Sequence, residues 1–499
     1  MLSTTDVVLY DTGTVRYPAA PFHPSEAYPE YPFGADCLAA EDNPVYRAVR
    51  EMLYALGLDR ERYGTAAWNP FGGLVPPGGT VLIKPNLVIS EHDLGQRGIE
   101  ASVAHGSVLR PLIDYAYRAL EGRGRIIVAD SPLKEVDFDR ILRLTGVQAV
   151  KAFYDAQSAA GLETLDFRDL HVVRNQAHFM TQAQRLPGDP AGYTLVDLGR
   201  ESMFEEIAGL WHRYRSTAVY YENVMGEFHH PGRHVYSMPN TLLGADLVIF
   251  VAKLKTHRKG GVTLCLKNAV GTTNEKRALP HHRAGSPSRG GDAIADGARL
   301  DAWLEDNFRD LMLGSPYGRR VLEAVGGPLK ALGRGVLRRA LGALRPVPPE
   351  QTIVEGDWYG NDTVWRMALD LNLAFLFADR GGTLQPEPQR HYLGVVDGVV
   401  AGDGEGPLYP DPVDCGALLA GFHPVAVDIV GATLMGFDYR KVPMLREGAA
   451  RPWRLRLPVA PEDITVHSNR PDWVHLLRGA ASPFAFRPSA GWAGHVERE

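Results

Sequence analysis

ADLVIFVAKLK, residues 245–255, is an almost continuous apolar run that closes on two lysines. A short run of this kind predicts a strand buried on both faces, as in the parallel sheet of an α/β protein. Open parallel sheets bind ligands outside the carboxyl ends of their strands, which is where Lys253 and Lys255 stand. The run therefore predicts a central strand with a candidate site at its end.

Similar runs occur on both sides of this central one. Strands are predicted at residues 80–88, 125–130 and 391–402, and helices with apolar residues at helical spacing at residues 43–56, 107–120 and 423–437. This alternation of buried strands with helices predicts an α/β fold, with mainly parallel sheets flanked by helices.

The chain of 499 residues is too long for one small core, so we expect two lobes with a cleft between them. The predicted parts are an N-terminal extension wrapping the core (1–76), a first α/β lobe with a lysine- and histidine-rich segment (77–300), a basic amphipathic helical insertion (301–350), a second α/β part with a glycine-rich acidic turn (351–445) and a C-terminal extension (446–499).

Composition excludes several classes of protein. The net charge of −6, and the lack of any helix-turn-helix, zinc-finger or RNA-binding signature, argue against a nucleic-acid partner. Cys37, Cys265 and Cys415 are widely separated, so we expect neither a disulfide framework nor a cysteine-ligated iron–sulfur cluster. Since no signal peptide and no spanning run of roughly 18 apolar residues is found, we expect a cytoplasmic protein. The sequence leaves the oligomeric state open.

Residues 253–292, KLKTHRKGGVTLCLKNAVGTTNEKRALPHHRAGSPSRGGD, combine many cations with glycine turns. Glycines let backbone N–H groups approach an anion and lysines supply countercharge, which predicts a site for a carboxylate or phosphate. Histidines add proton transfer near neutral pH. We expect His257, Lys255 and Lys84, the last at the end of an earlier strand, to be catalytic.

A wider set of residues is expected to bind the substrate. These are Asn86, His105, Ser107, Lys253, Lys267, Asn268, His281, His282, Asn361 and Arg366. Structural roles are the alternative for some of them, since Ser107 is also suited to capping a helix. The leading hypothesis is an enzyme that acts on an anionic small molecule, a carboxylate or phosphate-bearing compound, in the cleft by His/Lys acid–base chemistry.

A second hypothesis is a metal-dependent enzyme, whose cofactor would be a divalent metal. Its ligands would be Asp130, Asp397, Glu405 and Asp428 together with a histidine, because carboxylate oxygens and imidazoles are common metal ligands. Asp130 ends the strand predicted at 125–130, Asp397 lies in the strand predicted at 391–402, and Glu405 lies in the turn GDGEG. A structural turn explains Asp130 almost as well.

A third hypothesis rests on residues 317–345, YGRRVLEAVGGPLKALGRGVLRRALGALR. Apolar residues fall on one stripe of a helix and arginines on the other, a pattern that suits an anionic membrane or a partner protein. The chain would then be a non-enzymatic accessory protein that binds a membrane or a partner. The alternative is a surface helix packed on its own protein.

Several stretches resemble an uncharacterised family, domain of unknown function 362. They include IKPNL (83–87), KLKTHRKGGVTLCLKNAVG (253–271), GNDTVWRMALDLN (360–372), VVDGVVAGDGEGP (395–407) and HPVAVDIVGATLMGF (423–437). Some members carry a ferredoxin-like module with clustered cysteines, which this sequence lacks. The family is distantly similar to the lactate racemase family, whose nickel-pincer nucleotide lies between two α/β lobes. That likeness implies a cleft and acid–base chemistry on a small acid; no attachment lysine for the nucleotide is identified here.

Overall fold

The computed structural model describes residues 4–157, 161–174, 180–217, 224–298 and 353–498, together with Trp303. In this part of the chain the largest sheet contains eight strands in an unbroken row: β1 Val7–Asp11, β2 Thr80–Pro85, β3 Arg125–Asp130, β4 Glu163–Asp166, β5 Leu247–His257, β6 His391–Asp403, β7 Asp411–Gly421 and β8 Val466–Ser468. Their order across the sheet is β8-β1-β7-β6-β5-β2-β3-β4, and a ninth strand, Gly261–Val262, pairs with the end of β5.

The sheet is mostly parallel. Strands β6, β5, β2, β3 and β4 run in one direction, while β7 is antiparallel to both β6 and β1. The α/β fold with a mainly parallel sheet is therefore confirmed.

The division into two lobes is not confirmed, because β5 and β6, assigned to different lobes from the sequence, are neighbours in one sheet. The N- and C-terminal extensions also supply strands, β1 and β8.

Helices cover the sheet: α1 Pro44–Ala55, α2 Gly95–Ser102, α3 Gly106–Leu120, α4 Phe138–Leu144, α5 Val147–Gln157, α6 Leu264–Asn268, α7 Val364–Phe377, α8 Pro424–Leu434 and α9 Pro443–Ala450. Single-turn helices lie at Met225–Phe228, Asn240–Leu243 and Pro452–Leu455. Smaller sheets join Leu170–Arg174 to Met180–Arg185, Tyr214–Arg215 to His282–Arg283, and Arg233–Pro239 to Tyr193–Asp197 and His229–His230.

The central strand β5 is apolar on both sides because it divides the core. Val251 packs in the core beneath α1 and α3, while Phe250 packs in the core beneath α7. Leu254 joins a third group of apolar side chains beneath α8. All three residues have no exposed surface, which accounts for the unbroken apolar run from which the strand is predicted.

Two features bear on the membrane hypothesis. Within the described ranges, no helix combines the length and the apolar character that crossing a membrane requires. The basic stretch 317–345 lies outside the described residues, as does nearly all of the predicted insertion at 301–350. Membrane or partner contact through that stretch remains a prediction from sequence.

Candidate functional site

The carboxyl end of β5 carries three polar side chains on one face. Lys253, Lys255 and His257 occupy alternate positions of the strand, and alternate side chains of a strand point the same way. All three are buried. The pairing between β5 and β6 shifts at this point, from Lys253 opposite Asp397 to Lys255 opposite Gly402. Such an irregularity at the end of a sheet is common beside functional sites.

Lys253 belongs to a buried polar cluster with Asp397, Tyr17 and His105. Lys253 Nζ lies 3.0 Å from Asp397 Oδ2 and donates to the Tyr17 hydroxyl at 2.8 Å. The hydroxyl donates in turn to Asp397 Oδ1 at 2.7 Å, and the Tyr17 ring stacks on His105 with 3.9 Å between centroids. Burial, then the Asp397 charge, raises the pKa of Tyr17 well above its usual value. Sequence reasoning missed Tyr17, because a lone tyrosine in a proline-rich segment gives no signal.

A second buried ion pair joins the ends of β2 and β3. Lys84 Nζ lies 2.8 Å from Asp130 Oδ1 and donates to Asn268 Oδ1 at 2.7 Å. The other oxygen of Asp130 accepts from the Leu87 amide at 2.8 Å, and the Asn86 side chain lies 3.4 Å from Asn268 Oδ1. The structure thus brings together Lys84, Asn86 and Asn268, but the first contact of Lys84 is with the protein's own carboxylate.

Gly271 lies against this ion pair, because a Cβ at that position would stand 2.3 Å from Asp130 Oδ1 and 2.5 Å from Lys84 Nζ. We expect Gly271→Ala to force the pair apart and to lower the free energy of unfolding by about 1–3 kcal/mol. Urea unfolding measures the change. Gly73→Ala is the control, since nothing lies within 4 Å of a Cβ there. Equal stability of the two variants would contradict the close approach.

Three further lysines are buried in this region without an acidic partner among the described residues. Lys255 donates to the carbonyls of Ser102 and Pro407, the latter at 2.9 Å. Lys276 donates to the Ser131 carbonyl at 2.7 Å and to a second carbonyl. Lys267, only 7% exposed, has no hydrogen bond or ion pair at all within the described chain. Burying an ammonium without a partner costs free energy. The Lys267 side chain is therefore suited either to being neutral or to binding an anion.

Burial shifts the protonation of these lysines. It lowers the pKa of Lys267 to about 7, helped by the charges of Lys259 and Lys84. It also lowers the pKa of Lys276 to about 7, against the opposing effect of Asp130. For Lys255, burial and then the charges of Lys253 and Lys267 hold the pKa well below its usual value. Near neutral pH the site therefore contains free amine.

His257 and His281 are held in opposite tautomers. Nδ1 of His257 accepts from the backbone N–H groups of Lys259 at 3.1 Å and Gly260 at 3.3 Å, so the proton of its neutral ring sits on Nε2. Nδ1 of His281 lies 2.9 Å from the Leu279 carbonyl and must donate, which leaves a lone pair on Nε2. Burial, then the charge of Lys267, lowers the pKa of both rings well below the usual value. One ring offers a donor and the other an acceptor.

Asn361 and Arg366, by contrast, are engaged by the protein itself. Asn361 Oδ1 accepts from the amides of Thr363 and Val364 at the start of α7, and its amino group donates to the carbonyls of His281 and Gly356. Arg366 binds the Met203 carbonyl at 2.6 Å, Glu206 and Asp362. The structure thus gives these two residues contacts within the fold, and their expected role in substrate binding stays a prediction.

Ser107 and His282 also have contacts within the fold. Ser107 Oγ lies 2.9 Å from Nδ1 of His105, and that nitrogen accepts from the Ser107 amide at the start of α3. His282 pairs with Arg215 in a small two-stranded sheet. The ring of His105, with its pKa lowered by burial to about 3, is neutral at physiological pH.

The four carboxylates proposed as metal ligands are not brought together. Asp130 and Asp397 pair with lysines, while Asp428 accepts from the backbone amides of Cys265 and Leu266 at 2.7 and 2.8 Å. Glu405 is exposed and accepts from the Ala490 amide. Across the described residues, no group of three or more His, Cys, Asp or Glu side chains is placed to hold a metal ion.

Comparison with known proteins gives one match. Residues 199–433, just under half of the chain, match the model of a family described as a domain of unknown function (DUF362). The matched stretch contains β5, α6 and β6, and therefore Lys253, Lys255, His257 and Lys267, but not Lys84. No curated protein and no solved structure matches the chain, and the expected likeness to the lactate racemase family is not shown.

Proposed function

We propose that the chain is an enzyme that binds an anionic small molecule, a carboxylate or a phosphate-bearing compound, at the carboxyl ends of β2, β5 and β6. One observation carries the proposal: the Lys267 side chain is more than nine-tenths buried and has no partner among the described residues. A protein that needed this position only for packing would do better with an apolar side chain. The lysine is therefore suited to a charge that arrives with a ligand.

The surrounding charges favour the same ligand. Lys84 and Lys253 have carboxylate partners, whereas the partners of Lys255 and Lys276 within the described ranges are carbonyl oxygens. The described part of the site thus holds more lysines than acids in a region of low dielectric. A bound anion would offset this surplus and raise the pKa of the lysines that it contacts.

The histidines supply the acid–base part of the proposal. His257 presents an Nε2–H that can donate a hydrogen bond to an oxygen on which negative charge develops. His281 presents the Nε2 lone pair that can accept a proton. Because each tautomer is fixed by backbone contacts, the two roles cannot be exchanged without breaking those hydrogen bonds.

Anion binding tests the proposal through the thermal unfolding midpoint, measured with inorganic phosphate and, separately, malonate slightly below neutral pH. A ligand that binds only the folded chain stabilises it by about 2.7 kcal/mol at one hundred times its Kd. We expect a rise in midpoint for the wild type and little or none for Lys267→Met.

Lys151→Met is the matched control, since Lys151 pairs with Asp155 on the surface of α5. That variant should keep the full response to both anions. A response of Lys267→Met equal to that of the control, or no response of the wild type to either anion, would rule out Lys267 as an anion ligand.

A further inference from the structure

Lys267 differs from its neighbours in access as well as in partners. Lys253 and Lys255 have no exposed surface and Lys84 has 1%, whereas Lys267 retains 7%. Lys276 is similarly exposed, at 8%, but its Nζ is occupied by two carbonyl oxygens. Lys267 alone among these five combines residual access with an Nζ that no protein group engages, in the chain as described. A nucleophilic lysine requires both access for the substrate and an Nζ that no other group occupies.

The neighbouring charges favour the amine form of Lys267. Burial is the largest cause of its lowered pKa, followed by Lys259 and Lys84. A lysine desolvated beside other cations is the usual arrangement for imine-forming amines. The charge of Lys267 also lowers the pKa of both His257 and His281, and α6, which carries Lys267, packs against β5, which carries His257.

We propose that Lys267 is a covalent nucleophile and that the substrate is a small carbonyl compound with an anionic group, such as a 2-oxo acid. This inference rests on the proposed function and names its substrate class. The Nζ lone pair forms a bond to the carbonyl carbon, and the carbonyl π pair moves to oxygen, where His257 Nε2–H donates a hydrogen bond. The two amine protons reach that oxygen through His281 Nε2. The oxygen leaves as water, and an imine remains.

Reductive trapping tests the inference on the full chain. Pyruvate and glyoxylate, each with sodium cyanoborohydride, convert an imine to a stable secondary amine that intact-mass measurement and peptide mapping detect. We expect one adduct per chain, on Lys267, at a rate that rises as pH passes through neutrality. Adducts confined to exposed lysines such as Lys441, or none with either acid, would overturn the inference.

Two variants separate this inference from the anion-binding proposal. Lys267→Arg keeps a positive charge but cannot form an imine, so it should lose trapping while retaining part of the phosphate response. Lys267→Met should lose both. If phosphate binding depends on Lys267 and no adduct forms, only the covalent step fails. If neither is seen in the wild type, the proposed function fails as well.

Discussion

Replacing Asp397 by alanine is expected to lower the free energy of unfolding by about 3–5 kcal/mol, because removing one partner of a buried ion pair leaves the other charge uncompensated. Asp397 is fully buried and lies 3.0 Å from Lys253 Nζ. It also accepts from the Tyr17 hydroxyl at 2.7 Å and from the His105 amide at 3.0 Å. The Val399 amide donates to it as well, at 3.2 Å. Its loss therefore leaves four donors without this acceptor, and urea unfolding measures the effect.

A surface carboxylate provides the control for this result. Asp411 lies 2.8 Å from Arg487 at a largely exposed site, so Asp411→Ala is expected to change stability by less than about 1 kcal/mol. Lys253→Met combined with Asp397→Leu should recover the part of the loss that comes from the unpaired Lys253 ammonium, since an apolar pair can replace a buried ion pair, while the Tyr17 hydroxyl and the His105 amide still lack their acceptor. A loss for Asp397→Ala no larger than for Asp411→Ala would show that water reaches Lys253.

The fold could be predicted from sequence where burial leaves a local pattern. The central strand was expected at 245–255 and is observed at Leu247–His257, and the helix expected at 107–120 is observed at Gly106–Leu120. Strands buried on both faces and helices packed on them carry unbroken or periodic apolar runs. Such runs identify the elements and favour a parallel sheet.

Pairing between strands that are distant along the chain leaves no local apolar pattern in the sequence. Val7–Asp11 lies between Asp411–Gly421 and Val466–Ser468, hundreds of residues away, and both short terminal strands were assigned to extensions. A strand of three to five residues is too short to show a period. The same distance explains why Tyr17 was missed, because its role arises only when the N-terminal segment meets Asp397 in the middle of β6.

The site was predicted best where strand position and chemistry coincide. Lys253 and Lys255 were expected at the end of a buried strand and His257 in the polar segment after it, and in the structure all three occupy alternate positions of β5. The sequence did not predict which carboxylate pairs with which lysine. In a region of low dielectric the nearest carboxylate pairs with the nearest lysine, so Asp130 and Asp397 act as countercharges. Only the structure shows that Lys267 has no hydrogen bond or ion pair among the described residues.

Lys267→Met is expected to stabilise the protein, and by an amount that depends on pH. The pKa of Lys267 is about 7 in the folded chain against 10.5 for an ordinary lysine. Between these values the unfolded chain holds a proton that the folded chain lacks, so wild-type stability rises with pH at up to ~1.4 kcal/mol per unit from this group. The variant lacks this contribution, so its advantage should be largest at or below pH 7 and should shrink as pH rises.

Urea unfolding at several pH values between 7 and 9.5 measures the difference between the wild type and Lys267→Met. Apolar burial of the methionine adds a constant to that difference, so the slope with pH, and not the offset, reports on the lysine. Lys151→Met, altered at an exposed pair, should give a difference that stays flat. A flat slope for Lys267→Met, or a variant less stable than the wild type at neutral pH, would mean that the folded chain already satisfies the Lys267 ammonium. Retaining a lysine that lowers stability is expected where binding and catalysis require it.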